Sequence, residues 1–116
     1  MKILSLSTDE ELNRLRQFAL HYAGHSVATV NSEKEALAAA GGGEDYDVVL
    51  LCHKLPAATA RQVVRLLRQK ASPAKLIYIA HVYGEWPEVE ADRYIVGTDG
   101  PEALNRVVEE VAATPA

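Results

Sequence analysis

Asp47-Val48-Val49-Leu50-Leu51-Cys52-His53-Lys54-Leu55-Pro56 decides the architecture of this chain. Val48 to Cys52 is an unbroken apolar run, too short for an independent helix and without polar alternation. Such a run reads as a parallel strand covered on both faces, at the centre of a sheet. Pro56 then breaks the chain and opens a new element. A central strand of this kind needs neighbours on either side and helices above and below.

Both are legible outward from it. Toward the N-terminus, Gly41-Gly42-Gly43 ends an alanine-rich helix that Ser32 and Glu35 open as a capping box. Ahead of it, Ser26 to Val30 is a short β-branched strand. Ile3 to Leu6 forms the first strand, and Thr8-Asp9-Glu10-Glu11 has the form of another capping box, with Thr8 at the N-cap. Leu12, Leu15, Ala19 and Tyr22 recur at helical spacing behind it and mark the apolar face of the first helix. Toward the C-terminus, Ala58 to Lys70 is helical, with Val63, Leu66 and Leu67 inward and Arg61, Arg65 and Arg68 on a solvated stripe. Leu76 to Ala80 and Tyr94 to Val96 are further strands. A last helix, capped by Thr98 or Asp99, carries Leu104, Val107, Val108 and Val111 on its inner face.

Strands alternating with helices over short connections imply right-handed βαβ crossovers and a parallel sheet. A flavodoxin-like order, 2-1-3-4-5, and a small Rossmann-like half both satisfy the pattern, and in both the chemistry lies beyond the carboxyl ends of the strands. The 116 residues suit one domain, expected over 1–113 with a frayed end at 114–116. With 48% hydrophobic residues the chain builds a core without staples, and its single cysteine excludes an internal disulfide. No apolar run is long enough for a membrane span, and the first residues do not form a signal peptide, so a cytoplasmic domain is expected. The net charge of −4 argues against non-specific nucleic-acid binding.

The segment Asp47–Pro56 resembles the phosphorylation segment of response-regulator receivers (the CheY-like family), in which an apolar strand ends at the phosphoacceptor aspartate and a proline follows four residues later. Lys2-Ile3-Leu4, Asp92-Arg93-Tyr94-Ile95 and Pro101-Glu102-Ala103-Leu104 are similar to the family's first strand, last strand and last helix. The resemblance spans nearly the whole chain. It implies an α/β, flavodoxin-like three-layer sandwich with a five-stranded parallel sheet of order 2-1-3-4-5.

Carried over position by position, the resemblance implies a degenerate site. The phosphoacceptor position holds Cys52, and the acidic magnesium-binding pair falls on Ser7 and Thr8. The hydroxyl residue of the fourth strand becomes Ala80, and the lysine closing the fifth becomes Gly97. Mg²⁺ needs oxygen ligands, charged ones above all, and a transferred phosphoryl group needs a cationic clamp. Neutral side chains are therefore expected along the carboxyl rim, with no cofactor, metal or catalytic residue. Asp9 and Glu10 suit the first turn of a helix better than an ion site. Only thirteen residues, 81–93, separate Ala80 from Tyr94, so the family's fourth helix is expected to be shortened or missing.

The resulting expectation is a non-enzymatic pseudo-receiver in a phosphorelay-related pathway. It would act through a protein partner or a second copy, with Trp86, Tyr94, Arg106 and Glu110 on the interface. Two alternatives stand beside it. Cys52, His53 and His81 are candidates for a thiol or metal site, and the strand ends for a small-molecule sensor.

Overall fold

The computed structural model describes residues 1–82 and 88–113. Strands β1 (Lys2–Leu6), β2 (Ser26–Val30), β3 (Val48–Cys52), β4 (Lys75–Ala80) and β5 (Arg93–Val96) alternate with helices α1 (Glu10–Tyr22), α2 (Glu33–Gly41) and α3 (Ala57–Gln69). A 3₁₀ turn, Gly97–Asp99, leads from β5 into α4 (Gly100–Ala113). The strands form one parallel sheet in the order β2-β1-β3-β4-β5. Every pairing is the one expected, and β3 lies between β1 and β4 with all five residues buried.

Successive side chains of a strand point to opposite faces, and β3 divides the core accordingly. Val48 and Leu50 join Ile3, Ile77 and Ile79 under Leu20 of α1 and Leu104, Val107, Val108 and Val111 of α4. Val49 and Leu51 join Leu4, Leu6 and Tyr78 under Ala36 and Ala40 of α2 and Ala60, Val63, Val64 and Leu67 of α3. The edge strands are less covered, β2 being exposed or half-buried along its whole length.

The Ser32 capping box forms as expected, with the Glu35 amide donating to Ser32 Oγ at 3.1 Å. The first one does not. Asp9 takes the N-cap, its Oδ1 accepting from the Leu12 amide at 3.0 Å, while Thr8 Oγ1 donates outward to the Lys54 carbonyl at 2.7 Å. A carboxylate one residue nearer the helix competes successfully with the hydroxyl because it also complements the helix dipole.

The face of α1 is the larger correction. Leu15 is 64% exposed, Phe18 72% and Tyr22 88%, while the residues buried on the sheet side are Asn13, Arg16 and Leu20. Asn13 is fully satisfied there: its Oδ1 accepts from Ser5 Oγ, and its amide donors are shared among Ser5 O, Val30 O and Asn31 Oδ1. These bonds fix the rotation of the helix, because turning the apolar stripe inward would leave the buried acceptors unpaired.

Between β4 and β5, His81, Val82 and residues 88–92 carry no helix. Tyr94 closes this connection, its hydroxyl donating to Val89 O at 2.6 Å and accepting from the Ala91 amide at 3.0 Å. Trp86 and residues 114–116 lie outside the described residues. None of the helices among the described residues is long and apolar enough to cross a membrane.

Truncating Leu50 to alanine should cost about 2–5 kcal/mol, whereas Phe18→Ala should stay within about 0.5 kcal/mol. Urea unfolding of the two variants checks the assignment of the α1 face. A Phe18→Ala loss as large as that of Leu50→Ala would show the helix seated the other way round.

Candidate functional site

The carboxyl ends of β1, β3, β4 and β5 meet at one rim, and each residue singled out there can be placed. Ser7 follows β1, is 1% exposed, and its Oγ accepts from the Asp9 amide at 3.0 Å. With Thr8 bonded to Lys54 O, both hydroxyls at the end of β1 serve to hold the turn into α1. Asp9 is committed as the N-cap, and Glu10 lies on the exposed side of the helix, 3.8 Å from Arg14.

Cys52 is the last residue of β3 and is 1% exposed, with its Sγ accepting from the Lys54 amide at 3.4 Å. By strand alternation its side chain lies on the face that α1 and α4 cover. Ala80 is fully buried at the end of β4. Gly97 begins the 3₁₀ turn after β5, and a Cβ there would meet Arg16 Nη2 and Ile79 Cγ2 at 3.5 Å and Ala80 O at 3.6 Å.

The histidines do come together. The His53 amide donates to Ile79 O at 2.9 Å, continuing the β3–β4 ladder by one step. This brings its ring to 5.0 Å from that of His81, tilted by 43°. Among the described residues, no group of three or more His, Cys, Asp or Glu side chains could hold a metal ion. Cys52 is packed in the interior, whereas His53 is half-buried and His81 is exposed.

Expecting a neutral rim overlooked Arg16. It reaches up from α1, is 7% exposed, and places its guanidinium beside the position where the family carries a lysine and this chain has Gly97. One of its nitrogens, Nη1, is buried without a hydrogen-bond partner among the described residues. Its field extends to His53, whose pKa is lowered from the ordinary imidazole value first by burial, then by Arg16, His81 and Lys54, with Asp9 opposing. The signal in the sequence is the spacing Asn13–Arg16–Leu20, a helical stripe adjacent to the apolar one. Only the shape of the sheet face shows which of the two stripes turns inward.

Solved structures place this arrangement. CheY4 of Vibrio cholerae superposes with a TM-score of 0.81 at 21% identity, over 95% of this chain and 97% of that one. The receiver domain of the sensor histidine kinase PA1611 from Pseudomonas aeruginosa, solved with a magnesium ion in its active-site cleft, gives 0.81 at 15% identity over 97% and 98%. The chain is a CheY-like receiver in fold. No family model matches it. In sequence, this receiver-fold chain is 37% identical over 78 residues to the uncharacterized transcriptional regulatory protein YkoG of Bacillus subtilis. That match covers 66% of the chain and spans about a third (33%) of the relative's length.

The receiver rim yields a pH prediction. Because the folded state lowers the His53 pKa, it resists protonation that the unfolded chain accepts. The unfolded chain then binds more protons just below the ordinary value of 6.5. Stability should therefore fall as pH drops through that value and be regained above it. In an NMR titration the His53 ring should change charge below 6.5, and Arg16→Met should move it upward. A His53 midpoint at or above the ordinary value would contradict this electrostatic picture.

Proposed function

We propose that this receiver-fold chain is a signalling module that takes up no phosphoryl group and has no catalytic activity of its own. The observation that carries this reading is the rim itself. The position that would accept a phosphoryl group is a packed thiol, and the hydroxyls at the end of β1 are consumed in holding the turn. A carboxylate is needed to form an acyl phosphate, and charged oxygens are needed to hold Mg²⁺ against its hydration shell. Arg16 supplies one cation near the rim, but a cation without a metal site or a nucleophile does not transfer a phosphoryl group.

A module of this kind works by binding, either to another protein or to a second copy. The face we assign to that role combines β5 and α4. Tyr94 is 40% exposed there, Arg106 and Glu110 are exposed on α4, and Arg93 Nη1 pairs with Glu110 Oε2 at 2.7 Å across the two elements. An aromatic residue beside charged side chains of both signs suits a modest polar interface. Trp86 belongs to this proposal from its sequence position alone.

The test is incubation with acetyl phosphate and Mg²⁺ followed by intact mass. The chain should keep its parent mass. Cys52→Asp should also remain unmodified, because restoring the acceptor restores neither the metal ligands nor the lysine. A stable phosphoryl adduct on the parent chain would overturn the reading.

A further inference from the structure

Between α1 and α4, beside the carboxyl ends of β4 and β5, lies a cavity of about 420 Å³. Sites for small organic ligands run from about 300 to 1,000 Å³ and are mostly apolar with a few placed polar groups. Here Leu12, Leu15, Phe18, Ile79, Ile95 and Leu104 contribute apolar walls, and Arg16 is the one polar side chain of the lining.

That arginine is hard to account for as part of the core. It is 7% exposed, Nη1 has no partner, and no ion pair to it forms among the described residues. Burying an unpaired charge is strongly unfavourable, and a methionine of similar length would fill the space without that penalty. Asn13, one turn earlier on the same stripe, has its polar atoms paired with protein groups. Arg16 Nη1 lacks a partner among the described residues, and the other lining residues cannot supply one, since none of them carries an acceptor side chain. An anion entering the cavity would supply a partner for the guanidinium.

We propose that this cavity binds an aliphatic monocarboxylate, with the carboxylate on the Arg16 guanidinium and the chain running out between α1 and α4 over Leu15 and Phe18. A planar guanidinium matches a carboxylate through paired N–H donors. One cation among apolar walls balances one negative charge, whereas a phosphate dianion would find neither a second cation nor further donor side chains. The aliphatic chain follows from the mouth of the cavity, where Leu15 and Phe18 stand 64% and 72% exposed. Covering them removes apolar surface from water. A second copy of this chain laid over α1 would also cover them, but a flat helical face places no carboxylate at the depth of Nη1. This site is independent of the phosphorylation reading, and its failure would leave that reading untouched.

The experiment compares sodium decanoate with 1-decanol on the full chain, by calorimetry and by amide NMR spectra, with sedimentation velocity on the same samples. Decanoate should bind saturably and move the amides of residues 12–19 and 95–104. Decanol, having the same tail and no charge, should bind at least about tenfold more weakly. Arg16→Met should reduce decanoate to the level of decanol while raising or preserving the thermal midpoint, a combination that a merely structural arginine would not give. Ala19→Phe, which fills the cavity and leaves Arg16 in place, should abolish both. If Arg16→Met fails to fold, the two ligands and Ala19→Phe still decide. Equal binding of acid and alcohol, decanoate affinity unchanged in Arg16→Met, or no saturable binding would each overturn the proposal. So would shifts at Leu15 and Phe18 that follow protein concentration and dimer formation instead of decanoate.

Discussion

The burial of β3 on both faces is the constraint on which the rest of the molecule depends. Val48 and Leu50 anchor one layer of helices and Val49 and Leu51 the other, so the sheet cannot form without covers on both sides. Each cover must return the chain to the same edge, which imposes crossover connections and a parallel sheet. Once the central strands are filled from end to end with packed side chains, the residues just beyond the strands are left for chemistry. The character of this protein is therefore decided by a few side chains after Leu6, Cys52, Ala80 and Val96.

What stands at those places is mostly scaffolding. Ser7, Thr8 and Asp9 spend their oxygens on the turn and on the first helix, and the Lys54 carbonyl that receives Thr8 ties the β1 exit to the β3 exit. The rim is held together by bonds of its own. Charge returns to it from below, through Arg16 of α1, which adds to the effect of burial in lowering the proton affinity of His53 and also lines an apolar cavity. Helix α1 thus has two different polar residues on its buried face. Asn13 is a structural clamp with protein partners throughout, whereas Nη1 of Arg16 has none among the described residues.

How much of this was legible in the amino-acid sequence varies with the kind of signal. Strand order, layer composition and the inner residues of α4 follow from apolar runs and helical spacing, because burial selects residue type directly. The same logic misassigned α1, where Leu12, Leu15, Ala19 and Tyr22 make a better apolar stripe than Asn13, Arg16 and Leu20. Rotation of that helix is set by hydrogen bonds to Ser5, Val30 and Asn31, partners distant in the chain whose effect no periodicity encodes. The replaced rim residues were identifiable by resemblance, position by position. Arg16 was not, since it sits in a helix with an ordinary mix of charges and acquires its meaning only beside Gly97. Adjacent strand exits point to Cys52 and His81 as neighbours, whereas the ring contact that forms is between His53 and His81, because the backbone ladder continues one residue past β3.

The central claim is that the carboxyl rim of this receiver fold does not organise a divalent cation. It is tested most directly by titrating Mg²⁺ into the full chain while following backbone amides. Ser7, Thr8, Asp9, Cys52, His53 and Lys54 should show no saturable movement across the millimolar range. Saturable, Mg²⁺-dependent shifts at the β1 and β3 exits would contradict it.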